Sequence, residues 1–148
     1  MIGSATRGST STTPSSRHST VSPPSNPTGS VYTRDELVAL AEVLVEKQVP
    51  VLSDEVYDAL VYGQTFTSIA SLGSEIYDLT IVAGAVSKAY SMTGWRIGFA
   101  AGPAEVIAAA GRLQSHSTSG ANSIAQKAAL AAITGDQGTV EEMRQAFD

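Results

Sequence analysis

Five side chains of this sequence are of types that carry out chemistry, and each stands beside an apolar strand or a turn signal. In chain order they are Asn26, Asp54, Tyr57, Lys88 and Arg96. An amine in apolar surroundings loses its proton more easily, and it then acts as a nucleophile and a base. A guanidinium can bind two oxygens of a phosphate with its planar fork. The set therefore suggests a nucleophile together with an anion-binding group.

Lys88 follows an apolar strand in the stretch AVSKAY, and the next charged residue along the chain is Arg96. Lysines usually lie on solvated faces, yet this one follows a buried strand without a charged neighbour. We therefore expect its amine to be desolvated and reactive. The alternative is a lysine whose aliphatic stem lies on apolar surface while its amine reaches water.

Asp54 stands just after the apolar run from 49 to 52, where a carboxylate is costly unless a cation pairs with it. Ligands of open α/β sheets bind at the carboxyl ends of strands, so Asp54 is a candidate for contacting one. The alternative is that Asp54 caps the helical turn that follows. Tyr57 would lie on the same side of that turn, although taken alone it is more often a packing residue.

Arg96 and Asn26 lie beside turn signals. Arg96 stands between Gly94 and Gly98, and glycines allow a backbone to approach a ligand closely. The alternative is a surface arginine beside a turn. Asn26 opens the sequence NPTG, which predicts a turn, and its side-chain amide could bind a phenolate oxygen.

The helices and strands that must position these groups begin after an N-terminal segment of unusual composition, residues 1–24, which we call the head. Residues 1–24 are about half Ser and Thr, and the first acidic residue of the chain is Asp35. This composition predicts disorder, because it cannot bury enough apolar surface to offset the entropy of ordering. An organelle transit peptide has a similar composition, but a mispredicted start or a shifted reading frame, which would make the head non-native, is the favoured interpretation. The single valine of the stretch RHSTV makes it a poor core strand.

The pattern becomes regular from Thr33, which forms a predicted capping box with Glu36 ahead of a one-faced helix ending near Gln48. Continuous apolar runs predict buried strands at 49–52, 80–83 and 97–101, which indicates an α/β fold with a mostly parallel sheet covered on both faces by helices. Three more helices are predicted, from Pro103, from 123 to 134 and from 140 to 148. Their inward residues are expected to be Val106, Ile107, Ala110, Leu113, Ile124, Ala128 and Ile133.

The composition argues against several classes of protein, including nucleic-acid binders, disulfide-bonded proteins and membrane proteins. The 148-residue chain is 43% hydrophobic with a net charge of −5, which fits a globular domain and argues against a nucleic-acid partner. It has no cysteine, which excludes disulfides and suits a cytoplasmic protein, and no apolar run approaches a membrane span. His18 and His116 have no carboxylate cluster beside them, so no metal site is expected.

Three blocks of the sequence, SNPTG, LSDEVY and SKAYSMTGWRIGFAAGP, occur in this order between residues 25 and 103. Together they resemble the class I and II aminotransferases, which have fold type I and depend on pyridoxal 5'-phosphate (PLP). The resemblance extends from about residue 25 to 135 and is strongest to the bacterial-type aspartate aminotransferases. It implies that residues 25–148 are part of the large, PLP-binding domain.

The resemblance implies a role for each candidate residue. Lys88 would hold PLP as a Schiff base and carry the proton during catalysis, and Asp54 would pair with the protonated pyridine nitrogen. Tyr57 and Asn26 would bind the phenolic oxygen of the ring. Arg96 would bind the phosphate, with Ser87 as a weaker phosphate candidate.

The implied reaction is transamination between an amino acid, with an aspartate-like one favoured, and a 2-oxo acid, catalysed in this family by homodimers. Family members are longer. Their upstream part carries a Gly-containing phosphate loop and an aromatic residue that stacks on PLP, and their downstream small domain carries the arginine for the substrate carboxylate. We therefore expect the chain alone to be a poor catalyst.

Two alternatives to an aminotransferase remain. One is a non-catalytic remnant that keeps only the centre of the fold, and the other is a PLP lyase or synthase of the same fold. A further departure is Gly84-Ala85, where relatives often have Asn-Gly.

Overall fold

The computed structural model describes residues 17–148, so the head is covered only in its last part. The strands are β1 (Ser19–Val21), β2 (Val51–Asp54), β3 (Thr80–Ala85) and β4 (Gly98–Ala101). The α-helices are α1 (Arg34–Glu46), α2 (Ser74–Leu79), α3 (Ala104–Ser117), α4 (Ser123–Thr134) and α5 (Gly138–Phe147). Single 3₁₀ turns occur at Ile69–Ser71 and Thr93–Trp95.

The four strands form one sheet in the order β1-β2-β3-β4. The first three are parallel to one another, and β4 is antiparallel to β3. The prediction of an α/β fold with a mostly parallel sheet is thus confirmed. The antiparallel direction of β4 could not be predicted, because a short apolar run does not indicate the direction of its strand.

Strand β1 corrects the expectation for the end of the head. Residues 19–21 pair in parallel with Val51, Leu52 and Ser53, although disorder was predicted as far as residue 24. One apolar residue is sufficient here because β1 pairs on one side only and Val21 alone enters the core. The prediction for residues 1–16 lies outside the described residues.

Helix α1 forms as its sequence predicts. The Thr33 side chain accepts a hydrogen bond from the Glu36 backbone N–H, and the Glu36 carboxylate accepts one from the Thr33 N–H at 2.8 Å. The bond from the Thr33 N–H, and a second bond from the Thr33 hydroxyl to the same carboxylate, lower the pKa of Glu36 from its ordinary value. The apolar face of the helix packs on the sheet in a core of Val21, Leu37, Ala41, Leu44, Val51, Ile69 and Ile76.

The expected burial of both sheet faces is wrong for the described chain. Along β2, Val51 and Ser53 are buried whereas Leu52 and Asp54 are exposed, so the residues alternate between a covered and an open face. All four residues of β4 are exposed. The run of apolar types predicted burial, but within residues 17–148 one face of β2 and all of β4 are exposed.

The predicted inward residues of the later helices are corrected in the same way. Helix α3 has no buried residue, and its Leu113 is 72% exposed. In α4 the buried residues are Ala125 and Ala129, which pack with Val86 and Ile97, whereas Ile124 and Ile133 are exposed. Helical periodicity identifies an apolar stripe, but it does not say which neighbour covers it.

Besides β1 and the 3₁₀ turn at Thr93–Trp95, two more elements were not predicted from sequence, namely α2 and the 3₁₀ turn at Ile69–Ser71. Both are short, and both contribute one buried isoleucine to the core beside α1, Ile69 and Ile76. Among residues 17–148, no helix is both long enough and apolar enough to cross a membrane.

Candidate active site

Three of the five candidate residues follow neighbouring parallel strands. Asn26 comes shortly after β1, Asp54 is the last residue of β2, and Lys88 comes three residues after β3. Because these strands are parallel and adjacent, their carboxyl ends lie along one edge of the sheet, which we call the carboxyl edge. The topology therefore brings the amide, the carboxylate and the amine to the same side of the molecule.

Arg96 reaches the carboxyl edge from the opposite direction. Strand β4 is antiparallel to β3, and its first residue, Gly98, pairs with the last residue of β3, Ala85. The pairing continues for one step, since the Val86 N–H donates to the Ile97 carbonyl at 3.4 Å. The connection from 87 to 96 is therefore closed at its base, with Lys88 near its start and Arg96 at its end.

The turn that carries Asn26 has the form predicted from NPTG. The Gly29 N–H donates to the Ser25 carbonyl at 2.7 Å, and the Ser25 N–H donates to the Ser30 carbonyl at 2.9 Å. Gly29 has a φ of +70°, a conformation that favours glycine. The turn is thus fixed by backbone bonds, and Asn26 lies exposed on it.

Tyr57 is the residue that brings candidates into contact. Its hydroxyl accepts a hydrogen bond from Asn26 Nδ2 at 3.5 Å. The Lys88 Nζ lies over its ring, 5.4 Å from the ring centroid, within the range of a cation–π interaction. Three of the five side chains therefore meet around one aromatic ring.

The expected desolvation of Lys88 is wrong for the described chain. Its neighbours Val86 and Ala89 are buried, but Lys88 itself is exposed. The strand ends before the lysine, so the apolar residues on either side of it turn inward and the amine turns outward. In residues 17–148 the salt bridges join Lys47 to Glu46 and Arg144 to Glu141, so Lys88 is in none.

Asp54 partly matches the alternative prediction that it caps the turn that follows β2. Its Oδ1 accepts a hydrogen bond from the Val56 N–H at 3.3 Å, which stabilises the turn that leads to Tyr57. The residue is exposed and belongs to no salt bridge in the described part of the chain. A turn-stabilising role for one oxygen leaves room for a cationic partner at the other.

Arg96 is held by its own loop. Its Nη1 donates to the Thr93 carbonyl at 3.0 Å, and its backbone is left-handed, with φ of +55° and ψ of +44°. Such a conformation is uncommon for a residue with a side chain and often marks a functional constraint. The structure places Arg96 at the carboxyl edge but does not bring its guanidinium against the other four residues.

Glu55 is a residue that the sequence analysis passed over. It is 9% exposed, and its Oε1 accepts hydrogen bonds from the Ser53 hydroxyl at 2.9 Å and the Ser68 hydroxyl at 2.6 Å. The alternation of β2 was the available signal, because it places Ser53 and Glu55 on the covered face and Asp54 on the open one.

Tyr90 lies two residues beyond Lys88 and is also held in place. Its hydroxyl donates to Gln137 Oε1 at 3.0 Å, which connects the lysine-bearing loop to the start of α5. Partial burial and the negative charge of Asp58 raise the pKa of Tyr90 above its ordinary value. This hydroxyl therefore stays protonated at neutral pH.

A cleft of about 380 Å³ opens beside Asn26 and Tyr57, walled by the NPTG turn on one side and by residues 60–64 on the other. A second, narrower cavity of about 190 Å³ lies behind the lysine loop and is lined by Glu55, Asp58, Tyr90 and Phe99 among others. Across residues 17–148, no group of three or more His, Cys, Asp or Glu side chains is placed to hold a metal ion.

The sequence as a whole matches the profile of the family described as aminotransferase class I and II, over residues 20–148. This chain belongs to the class I and II aminotransferases. Membership implies PLP as the cofactor, and the match includes all five candidate residues.

Curated relatives carry names within the same family. The aspartate aminotransferase of Geobacillus stearothermophilus is 51% identical over 137 residues, which are 92% of this chain and 35% of that protein. The aspartate/prephenate aminotransferase of Cereibacter sphaeroides is 53% identical over 84% of this chain and 32% of that protein. The chain thus spans about a third of the length of the aminotransferases it matches.

Solved structures agree with this grouping. The aspartate aminotransferase from Rhizobium meliloti superposes with a TM-score of 0.87 at 40% identity, covering 91% of this chain and 34% of that one. The aromatic aminotransferase from Pyrococcus horikoshii superposes with a TM-score of 0.83 at 36% identity, covering 86% of this chain and 35% of that one. The fold is therefore the fold of these aminotransferases in the region that the chain covers.

Proposed function

We propose that this chain supplies the PLP-binding centre of an aminotransferase that transfers the amino group between an aspartate-like amino acid and a 2-oxo acid. Relatives at about half identity are named aspartate or aspartate/prephenate aminotransferases, which supports the reaction and the substrate class. The single observation that carries the proposal is that the strands bring Asn26, Asp54, Lys88 and Arg96 to one edge of the sheet. At this edge Tyr57 contacts both Asn26 and Lys88.

The five functional groups fit PLP because they match it group for group. PLP carries an aldehyde, a ring nitrogen that is protonated when the cofactor is active, a phenolic oxygen and a phosphate. The site offers an amine, a carboxylate, an amide with a phenol, and a guanidinium. When bound, PLP supplies an electron-accepting ring that stabilises negative charge at the α-carbon of the substrate.

Each residue then has a defined task. Lys88 would hold PLP by condensation of its amine with the aldehyde, which releases water, and the freed amine would accept and return the proton at the α-carbon of the substrate. The Asp54 carboxylate would accept a hydrogen bond from the protonated ring nitrogen. Asn26 and Tyr57 would donate to the phenolic oxygen, and Arg96 would bind the phosphate with its fork of N–H groups.

The proposal also includes assembly into a homodimer and a location in the cytoplasm. Exposed apolar residues on α3 and α4, Val106, Leu113, Ile124, Leu130 and Ile133, would be covered in a homodimer or by further parts of the enzyme. The absence of cysteine suits the reducing cytoplasm.

Trapping with borohydride tests the proposal directly. The purified chain is mixed with PLP, reduced, digested and mapped by mass spectrometry, and we expect the adduct on the peptide that contains Lys88. The Lys88→Ala variant should lose this adduct, whereas Lys127→Ala, which removes an exposed lysine of α4, should keep it. An adduct spread evenly over Lys47, Lys88 and Lys127, or none at all, would overturn the proposal.

A non-catalytic remnant is the second candidate, and the solvent exposure of both Lys88 and Asp54 in the described chain is the observation in its favour. Its expected result is PLP trapped on Lys88 without any absorbance change when aspartate is added. An absorbance change accompanied by formation of the matching 2-oxo acid supports the aminotransferase. Elimination products in place of the 2-oxo acid would indicate a lyase.

A further inference from the structure

Glu55 has a buried carboxylate for which the proposed function has no task. It accepts hydrogen bonds from two serine hydroxyls, Ser53 at 2.9 Å and Ser68 at 2.6 Å. In residues 17–148 it takes part in no salt bridge. Burying a carboxylate without a cation is costly, and an apolar side chain of the same size would avoid that cost.

The backbone of Glu55 is bonded as fully as its side chain. Its N–H donates to the Ala83 carbonyl of β3 at 2.8 Å, and its carbonyl accepts from the Asp58 N–H at 3.1 Å. The residue that separates Asp54 from the turn of Tyr57 is therefore fixed to the neighbouring strand, to the turn and to the distant Ser68.

The bond to Ser68 joins the two ends of a loop. Thirteen positions separate Glu55 from Ser68, and residues 56–67 between them carry Tyr57 and form one wall of the cleft beside Asn26. Ser68 is itself anchored, because it precedes the 3₁₀ turn whose Ile69 lies in the core. The carboxylate thus holds the start of the loop to a rigid point at its end.

We propose that Glu55 is a positioning residue, which closes the 56–67 loop through Ser68 and thereby sets the place of Tyr57 against Asn26 and Lys88. The inference rests on the proposed function, since Tyr57 matters only if its hydroxyl meets the cofactor. Glu55 acts through Tyr57 and does not itself contact the ligand.

The first test needs no cofactor. Hydrogen–deuterium exchange of the PLP-free chain should show faster exchange across residues 56–67 in Glu55→Ala and Ser68→Ala than in the unmodified chain. Glu55→Gln should stay close to the unmodified chain, because its amide oxygen can still accept from a serine hydroxyl. Ser71→Ala is the matched control, since it removes a hydroxyl from the same 3₁₀ turn that bonds only the Ser68 carbonyl.

The second test uses the PLP-loaded chain and its absorbance as a function of pH. The absorbance of bound PLP changes with pH as the nitrogen that joins it to Lys88 loses its proton. Tyr57→Phe removes a hydrogen bond to the phenolic oxygen, which should raise the pH midpoint of this absorbance change by about 1–2 units. Glu55→Ala and Ser68→Ala should raise the midpoint in the same direction by a smaller amount. Glu55→Gln should restore most of the original midpoint.

The results separate the two proposals. If the unmodified chain fails to trap PLP on Lys88, the proposed function fails, while the exchange experiment still decides whether Glu55 closes the loop. If PLP is trapped but the Glu55→Ala and Ser68→Ala midpoints equal that of the unmodified chain, the positioning role is overturned. Faster exchange throughout the chain, including α4, with an unchanged midpoint would also overturn it, because Glu55 would then serve stability alone.

Discussion

At the scale of single residues, the site depends on how each side chain is held before any ligand arrives. Tyr57 is fixed by contacts with Asn26 and Lys88, and Asp54 has one oxygen bonded to the following turn. Arg96 has one guanidinium nitrogen bonded to its own loop, which leaves the rest of the fork available for an anion.

Arg96 gives a quantitative prediction at this scale. In Arg96→Gln the charged donors to the phosphate are lost, and a hydrogen bond to a charged group contributes about 1.5–3 kcal/mol. We therefore expect PLP to bind about 10–100-fold more weakly, measured by absorbance titration before reduction. Arg112→Gln, on the exposed helix α3, is the control and should leave the affinity unchanged. Equal affinities for the two variants would remove Arg96 from the site.

The location of several candidate residues could be predicted from sequence, because the NPTG turn follows β1, Asp54 ends β2 and Lys88 follows β3. The exposure of Lys88 could not, since it depends on where β3 ends and how the loop turns. Glu55 was missed because a buried carboxylate is recognisable only once its partners are known, and Ser68 lies 13 positions away.

At the scale of elements, α5 connects the two loops that carry the candidate residues. Gln137, just before the helix, accepts from Tyr90 of the lysine loop, and Arg144 Nη1 donates to the Val61 carbonyl of the 56–67 loop at 3.4 Å. Arg144 is in turn bonded to Glu141 through two nitrogens, both at 2.7 Å. The helix therefore links both sides of the site.

The Glu141 pair predicts how α5 responds to acid. Hydrogen bonds from Arg144 and then Gln145 lower the pKa of Glu141 from 4.5 to about 2. Because the pKa is lowered by folding, the pair stabilises the helix fully above pH 4.5, and this contribution is lost as the pH falls through about 2. The protection factors of the α5 amides, which correct for the pH dependence of intrinsic exchange, should fall as the pH is lowered over this range in an NMR titration. In Glu141→Gln the protection factors should already be low at pH 5, whereas Glu142→Gln should behave as the unmodified chain. A Glu141→Gln profile that matches the unmodified one would exclude the pair as the cause.

Element prediction succeeded where local rules decide and failed where distant packing decides. The Thr33–Glu36 capping box is a local signal, and α1 begins where it indicates. The antiparallel direction of β4 and the pairing of β1 are properties of neighbours remote in sequence. Whether the apolar stripe of α3 is buried depends on a neighbouring element, and the periodicity of the helix does not identify that neighbour.

At the scale of the whole molecule, one face of the sheet is covered by α1 and α2, whereas apolar side chains remain exposed on β4, α3 and α4. Exposed apolar surface of this kind drives association in water. The net charge of −5 opposes association through repulsion that salt screens.

The purified chain is therefore expected to self-associate as concentration and salt rise, measured by light scattering coupled to size-exclusion chromatography. Leu113→Glu places a charge at an exposed large apolar residue of α3 and should shift the population toward the monomer. Val43→Glu is a suitable control, because Val43 is an exposed apolar residue of α1, on the covered side of the sheet. A chain that stays monomeric at high salt, or an equal effect of both variants, would contradict the assignment of α3 to the contact surface.

Because β4 is antiparallel to β3, the two edges of the sheet should differ in how well they tolerate a change in the chain. All candidate ligand groups leave the sheet at the carboxyl edge, so the connections at the other edge, such as residues 47–50 between α1 and β2, carry none of them. A fluorophore attached at the exposed Lys47 would therefore lie away from the candidate groups. A single residue added between 87 and 96 would instead displace the amine and the guanidinium relative to each other.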